Sequence, residues 1–337
     1  MTTEESGRLR DGLDSVLRAM VAHDPLGLPL AEDARYTEIA QPLDIGDGLW
    51  GTLTRFAGDG GDPHPKLNPY RIDFIDEAAG QAIFFGATVE NNTPGMLMLR
   101  VRYSGARIAE IEALAVREEI VGDHGGTVTM FQPRLLLPFE PGGFAAPDPA
   151  LVAPSSRGDD EKVLVAVADA FFDAIERDDP DLVEFAQDCV VRHNGRLAAE
   201  DPDAPPLNPE VPAYRPFSLS VREQIATGFT RYTARVNHRR HVAVDPSRGL
   251  VLSVAVFDHP ARVHEIEVPG FGTVPFPGYV AGQEELTIAA LPGSRIYPNL
   301  QVPTSDLHAQ LTRIEGGRIA YVEAISRGAP YGLPTGW

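Results

Sequence analysis

Two stretches decide the fold: residues 102–113, RYSGARIAEIEA, and residues 313–324, RIEGGRIAYVEA. Seven of their twelve positions are identical without a gap, and each stretch stands near the end of one half of the 337-residue chain. Three further pairs of blocks keep the same order. Residues 24–38 (DPLGLPLAEDARYTE) match residues 179–194 (DPDLVEFAQDCVVRHN), GLWGTLTRF matches QIATGFTRY, and FIDEAAGQAIFFGATVE matches AVDPSRGLVLSVAVFDH. Collinear order predicts a tandem duplication, because a long self-similar period means repeated structural units. Length agrees, since about 150 residues per domain predicts two.

Each unit is readable by period. Leu9, Leu13, Val16, Leu17 and Met20 recur at helical spacing, as do Val163, Val167, Ala170, Phe171 and Ile175, so each half begins with an amphipathic helix. An Asp-Pro ends that helix and is expected to open a short second one. Strands follow, in the first half around residues 34–38, 70–74, 81–89, 97–103 and 107–116. Helices followed by a strand-rich part predict an α+β fold, with the helices packed on a curved, mostly antiparallel sheet. The expected units are 1–131 and 161–337, joined by a Pro/Gly-rich linker at 132–160. The second unit carries insertions at 200–217 and 259–305, which read either as lids or binding loops or as surface excursions.

Twenty-nine Lys and Arg against 48 Asp and Glu leave a net charge of −19, a field that repels nucleic acid and anionic membrane. A single cysteine, Cys189, has no intrachain partner and suits a reducing compartment. The N-terminus lacks a signal-peptide pattern, so the expected location is the cytoplasm. No phosphate-binding or dinucleotide-binding glycine motif and no GxSxG elbow occurs. The pairs His259/His264 and His238/His241 lack the helical HExxH spacing of zinc enzymes, so neither metal nor other cofactor is expected.

Alternation over residues 190–194 puts Val191 and His193 on one strand face and Arg192 and Asn194 on the other. Asp258 and His259 close a strand before Pro260. In residues 237–241, NHRRH, the repeat aligns Arg240 with Arg71, which fits a structural ion pair at least as well as a contact to a substrate oxygen. Tyr214, Phe217, Phe271, Phe276, Tyr279 and Tyr297 of the insertions either line an apolar mouth or pack their own loops. Phe257 and Asn194 complete the candidate substrate contacts, Cys189 reads as a small buried hydrophobe, and Trp50 reads as core.

The order of helix, Asp-Pro, short helix, strand and long strands, with FAQDCVVRHNG and LAEDARYTE, resembles the cone-shaped α+β barrel of the SnoaL-like and ketosteroid-isomerase-like proteins in the NTF2-like superfamily. The likeness covers nearly the whole chain, and PYGLPTGW after GRIAYVEA is similar to the ends of a tandem SnoaL-like subgroup. The resemblance implies two tandem cones. It also implies that the superfamily's general-base position falls on His193, with Glu38 at the matching place in the first unit. The implied function is a cofactor-independent lyase, dehydratase or isomerase acting on a hydrophobic, hydroxylated, aromatic small molecule, one route being dehydroxylation with formaldehyde release from a lignin-derived aromatic dimer. In that reading His193 or His259 removes a proton, the other or Asp258 protonates a leaving hydroxyl, and Arg240 or a loop tyrosine orients the substrate oxygen. Six of the nine histidines lie in the second unit, which is where the pocket is expected. The alternative is a non-catalytic small-molecule-binding or assembly module whose units pack sheet to sheet, marked by a filled interior around His193 and His259. A homo-oligomer is compatible with both.

Overall fold

The computed structural model of the chain describes residues 4–62, 67, 69–117, 148–193, 196–201, 218–263, 265–268, 272–275 and 303–336. Helix α1 (Glu4–Val21) has Glu4 and Glu5 in its first turn and Arg18 in its last, which complements the helix dipole, and it buries Leu9, Leu13, Val16, Leu17 and Met20. After it come β1 (Leu30–Glu38), β2 (Gln41–Leu43), the single turn α2 (Leu49–Thr52), β3 (Leu53–Phe56), β4 (Arg71–Asp76), β5 (Gln81–Glu90), β6 (Thr93–Ser104) and β7 (Arg107–Arg117). The second half runs α3 (Pro149–Val152), α4 (Glu161–Arg177), β8 (Phe185–His193), β9 (Arg196–Leu197), α5 (Val221–Ala226), β10 (Arg235–Asp245), β11 (Leu250–His259), a β12–β13 hairpin (Glu265–Val268, Gly272–Pro275), β14 (Thr304–Glu315) and β15 (Arg318–Pro330).

The fold is α+β with two mixed sheets. One has the order β2-β1-β7-β6-β5-β3, with β4 also on β5, and the other β10-β11-β14-β15-β8-β9. In each, one pair is parallel, β1 with β7 and β8 with β15, and the other pairs are antiparallel. The repeat is a repeat of register. Gln81 faces Arg102 and Leu250 faces Arg313, while Glu38 faces Ala113 and His193 faces Ala324.

Alternation along β11 divides its side chains between two environments. Leu250, Leu252, Val254 and Val256 join a buried cluster that also holds Ile83, Phe85, Met98 and Leu114 of the first half, whereas Val251, Ala255 and Phe257 belong to clusters containing residues of α4. Across the seam Gln81 Nε2 donates to the Val242 carbonyl at 2.5 Å and Arg248 to the Asp73 carbonyl at 2.9 Å. The two halves thus share one core.

Three expectations change in detail. After α1 the Asp-Pro makes a turn rather than a helix, because Asp24 Oδ1 accepts from Leu26 N–H and closes an Asx turn; after α4 it makes only a 3₁₀ turn, Pro180–Leu182. Helix α4 buries Leu164, Ala168, Phe171, Phe172 and Ala174 and leaves Val163 39% exposed. It carries two adjacent apolar stripes, and the one with Leu164, Ala168 and Phe172 packs on the strands, while Asp160 caps the Val163 N–H. The end of the expected linker is docked: Leu151 is buried, and Arg313 donates to the carbonyls of Ala153 (2.7 Å) and Pro154 (3.2 Å). Residues 132–147, 202–217 and much of 259–305 lie outside the described residues.

Candidate functional site

A cavity of about 100 Å³ opens between α4, the α5 region and the sheet of the second half. Phe171, Ile175, Ile225, Phe229 and Phe257 make its apolar wall, and His193, His259, Asp306, His308, Gln310 and Tyr232 its polar one. The strands place the polar group by alternation. In β14, TSDLHAQLTRIE, Asp306, His308 and Gln310 share the cavity face, and Leu307, Ala309 and Leu311 enter the core between the halves. From β11, Phe257 and His259 point inward. His193 arrives as the last residue of β8, in register with Ala324.

Phe257 faces Asp306 in the ladder, so His259 and Asp306 are diagonal neighbours. His259 Nε2 stands 3.2 Å from Asp306 Oδ2, with both residues buried. A carboxylate only accepts, so the proton of this bond sits on Nε2, and the neutral form of the ring carries its lone pair on Nδ1. His308 stacks on Phe257 with ring centroids 3.9 Å apart, and its ring lies 5.0 Å from that of His193. Tyr232 lies 4.8 Å from His259, ring to ring. His259 Nδ1, His308 Nδ1 and Asp306 Oδ1 are buried without a hydrogen-bond partner among the described residues.

Burial sets the protonation states. His193 is half-buried by exposed area, yet the protein packed around its ring pushes it down to about 4, partly offset by the Asp306 carboxylate. His308 falls well below the ordinary imidazole value, by burial first and then by its neighbours His193 and His259. Both rings are therefore neutral at pH 7, each with one N–H donor and one lone pair. Burial, aided by Asp306, raises the Tyr232 phenol, which stays protonated. Among the described residues no group of three or more His, Cys, Asp or Glu is arranged to hold a metal ion.

A family model described as a domain of unknown function, DUF8021, matches residues 157–326, just over half of the chain. The chain belongs to the DUF8021 family. No curated protein and no solved structure matches it.

The DUF8021 segment holds every described residue of the cavity named above. Of the residues singled out from sequence, His193, His259 and Phe257 meet there. Asp258 does not: next to His259 in a strand, it points to the other face and accepts from Arg235 (3.0 Å), Asn237 (2.6 Å) and Ser305 (2.6 Å). Arg240 also stays out, bonded to Glu112 of the first half. Nor is Arg240 the counterpart of Arg71. A bulge between Asn237 and Arg240, with His238 at φ 51°, shifts the register, so Arg239 takes the Arg71 place. Arg71 reaches Asp14 of α1 at 2.6 Å, and Arg239 reaches Asp173 and Glu176 of α4 at 2.6 and 2.8 Å. Cys189 is buried, with its thiol pushed up to about 12. Asn194, Tyr214, Phe217, His264, Phe271, Phe276, Tyr279 and Tyr297 lie outside the described residues.

In the first half, which precedes the DUF8021 segment, the same lattice positions are closed. Glu38 accepts from Tyr36 (3.0 Å), Leu49 N–H (2.8 Å) and Arg117 (2.6 Å), and Glu90, in the place of His259, accepts from Arg117 at 2.7 Å. Gly95, Leu97 and Leu99 stand where the second half has Asp306, His308 and Gln310. The sequence reading missed those three and Tyr232. The signal was the alternation of polar residues in SDLHAQLTR, at the edge of a stretch read as an insertion.

Proposed function

We propose that the chain is a general acid–base enzyme of the lyase, dehydratase or isomerase type, working without a cofactor on a small hydrophobic hydroxylated molecule in the cavity of the second half. One observation carries the proposal. The first half folds with Gly95, Leu97 and Leu99 at lattice positions where the second half buries Asp306, His308 and Gln310. The fold therefore has no need of these polar groups, and a buried polar atom left without a partner costs about 1–3 kcal/mol. A cluster kept at such a cost is explained by a ligand that completes its hydrogen bonds. The same geometry supports, as part of the proposal, reading each half as a SnoaL-like cone.

The roles follow from the protonation states. Asp306 holds the Nε2–H of His259, so Nδ1 is the base, in the manner of a carboxylate-oriented histidine. His193 and His308, neutral, each offer an N–H to an oxygen on which charge builds, as a preorganised donor. The proton taken by His259 returns to a leaving hydroxyl as water in dehydration, or to another carbon in isomerisation. Each such transfer is worth about 10²–10⁴-fold.

The test is turnover on a panel of hydroxymethyl phenols and β-hydroxy ketones, followed by mass spectrometry for loss of water or formaldehyde. Turnover that H259A and D306N abolish and E38Q keeps is the expected result. A molecule bound in the cavity without any chemistry would make the binding module the correct reading.

A further inference from the structure

We infer that Asp306 sets the charge class of the ligand: the cavity takes a single-ring molecule whose hydroxyl donates to Asp306 Oδ1 and whose oxygen accepts from an imidazole N–H, and it rejects carboxylates. This inference rests on the proposed function, which makes the cavity a substrate site.

Three observations carry it. Asp306 Oδ1 is buried and has no hydrogen-bond partner among the described residues, while Oδ2 is taken by His259. One acceptor position is thus vacant, and an O–H fills it. A second carboxylate brought to the same place faces like charge in a poorly screened setting, where repulsion is far stronger than in water. Second, the described cation of the cavity wall is engaged by other groups. Arg192, at the cavity wall, donates its Nε–H to the Tyr321 hydroxyl at 3.0 Å and lies beside Glu323, and the burial that keeps His193 and His308 neutral withholds a positive charge from both. Third, about 100 Å³ of room among the described residues, with walls of Phe171, Phe229 and Phe257, leaves space for no more than one ring, since a cavity of roughly 150 Å³ accommodates benzene.

The experiment uses the full chain and three probes of one size: benzyl alcohol, benzoate and benzylamine. Affinity is read by calorimetry at pH 7, and the site by the imidazole ¹⁵N resonances of His193, His259 and His308. Benzyl alcohol is expected to bind at least 10-fold tighter than benzoate and to shift the three imidazoles, and benzylamine is expected to bind tighter than benzoate. In D306N the gap to benzoate is expected to narrow, since the amide can donate to a carboxylate. Should D306N fail to fold, the comparison in the unaltered protein still decides. Benzoate binding as tightly as either other probe, or a gap that D306N leaves intact, overturns the charge assignment and leaves acid–base catalysis standing on its own turnover test. Absence of any shift with all three probes overturns the cavity as a ligand site, and the proposed function with it.

Discussion

Glu38 and His193 occupy one lattice position in two sheets: Glu38 stands opposite Ala113, His193 opposite Ala324, and those alanines coincide in the repeat. What differs is the neighbour. Arg117 binds Glu38 and Glu90 in the first half, and the register puts Gly328 in its place in the second. With an arginine present, two carboxylates are neutralised and the space is filled. With a glycine, no side chain enters, and the position holds an imidazole that burial keeps neutral. One backbone thus supports a closed ion-paired interior and an open polar cavity.

This contrast predicts opposite responses to mutation. H193A removes an uncharged ring at a cavity wall and is expected to move thermal melting little. H259A takes the partner of the buried Asp306 carboxylate and is expected to cost about 1–3 kcal/mol. Turnover is expected to fall by about 10²-fold or more in both. E38Q takes the charge from a carboxylate that accepts three hydrogen bonds, so it is expected to lower stability by about 1–3 kcal/mol and leave turnover intact. Measuring all three on one substrate, each with a melt, is decisive. If E38Q alone abolishes turnover, the chemistry lies in the first half.

Two buried groups give the stability opposing pH slopes. His193 titrates near 4 in the folded chain against 6.5 unfolded, so the unfolded state binds its proton first, and stability is lost as pH falls from 6.5 toward 4. Glu323, buried beside Tyr321, titrates near 7 against 4.5, so its contribution is present below 4.5 and lost as pH rises through 7. Each term amounts to about 3 kcal/mol over its window. Relative to the unaltered chain, E323Q is expected to gain stability as pH rises from 4.5 to 8, and H193Q as pH falls from 7 to 4. Denaturant melts across that range test both, and parallel curves for E323Q and the unaltered chain would contradict the assignment for Glu323.

How much of this was legible in the sequence varies with the physics. The repeat, α1 and the long strands were, because apolar period and self-similarity are local patterns. The face of α4 was not, since two stripes compete and only packing on the sheet chooses between them. The place of Arg240 was hidden by a single bulge residue, His238, whose positive φ leaves no mark in an alignment. The place of Asp258 is legible by alternation, because adjacent residues of an unbulged strand point to opposite faces. Asp306 and His308 were readable by that same rule, and the matched ladder would have carried the repeat back to them.

The bulge yields a prediction of its own. Arg239 pairs with Asp173 and Glu176, and its guanidinium lies 5.7 Å from the Phe172 ring centroid, as Arg71 pairs with Asp14 and lies 5.3 Å from that of Phe84. R239Q is expected to destabilise by about 1 kcal/mol by removing the helix-to-strand ion pairs, since Asp173 keeps Arg177 and Glu176 keeps the Val236 N–H. R240Q loosens the seam at Glu112 and is expected to leave cavity binding unchanged. A loss of ligand affinity in R240Q with a normal melt would restore Arg240 as a substrate contact.

The first half also shows how to remove function without removing the fold. Leu97 occupies the His308 position there and is fully buried, so the lattice accepts a leucine of nearly the same volume. His308 Nδ1 is a buried atom without a hydrogen-bond partner among the described residues, and taking away such a group relieves a desolvation cost. H308L is therefore expected to raise stability by about 1 kcal/mol, since an apolar side chain replaces an unsatisfied polar one. Turnover is expected to fall by about 10²-fold, because the oxygen held by the imidazole N–H loses its donor. A structural histidine behaves in the opposite way: its replacement lowers the melting temperature and spares the chemistry. Thermal melting and turnover of H308L, measured side by side, separate the two, and a destabilised variant with full activity would return His308 to the core and leave His259 and Asp306 to act without it.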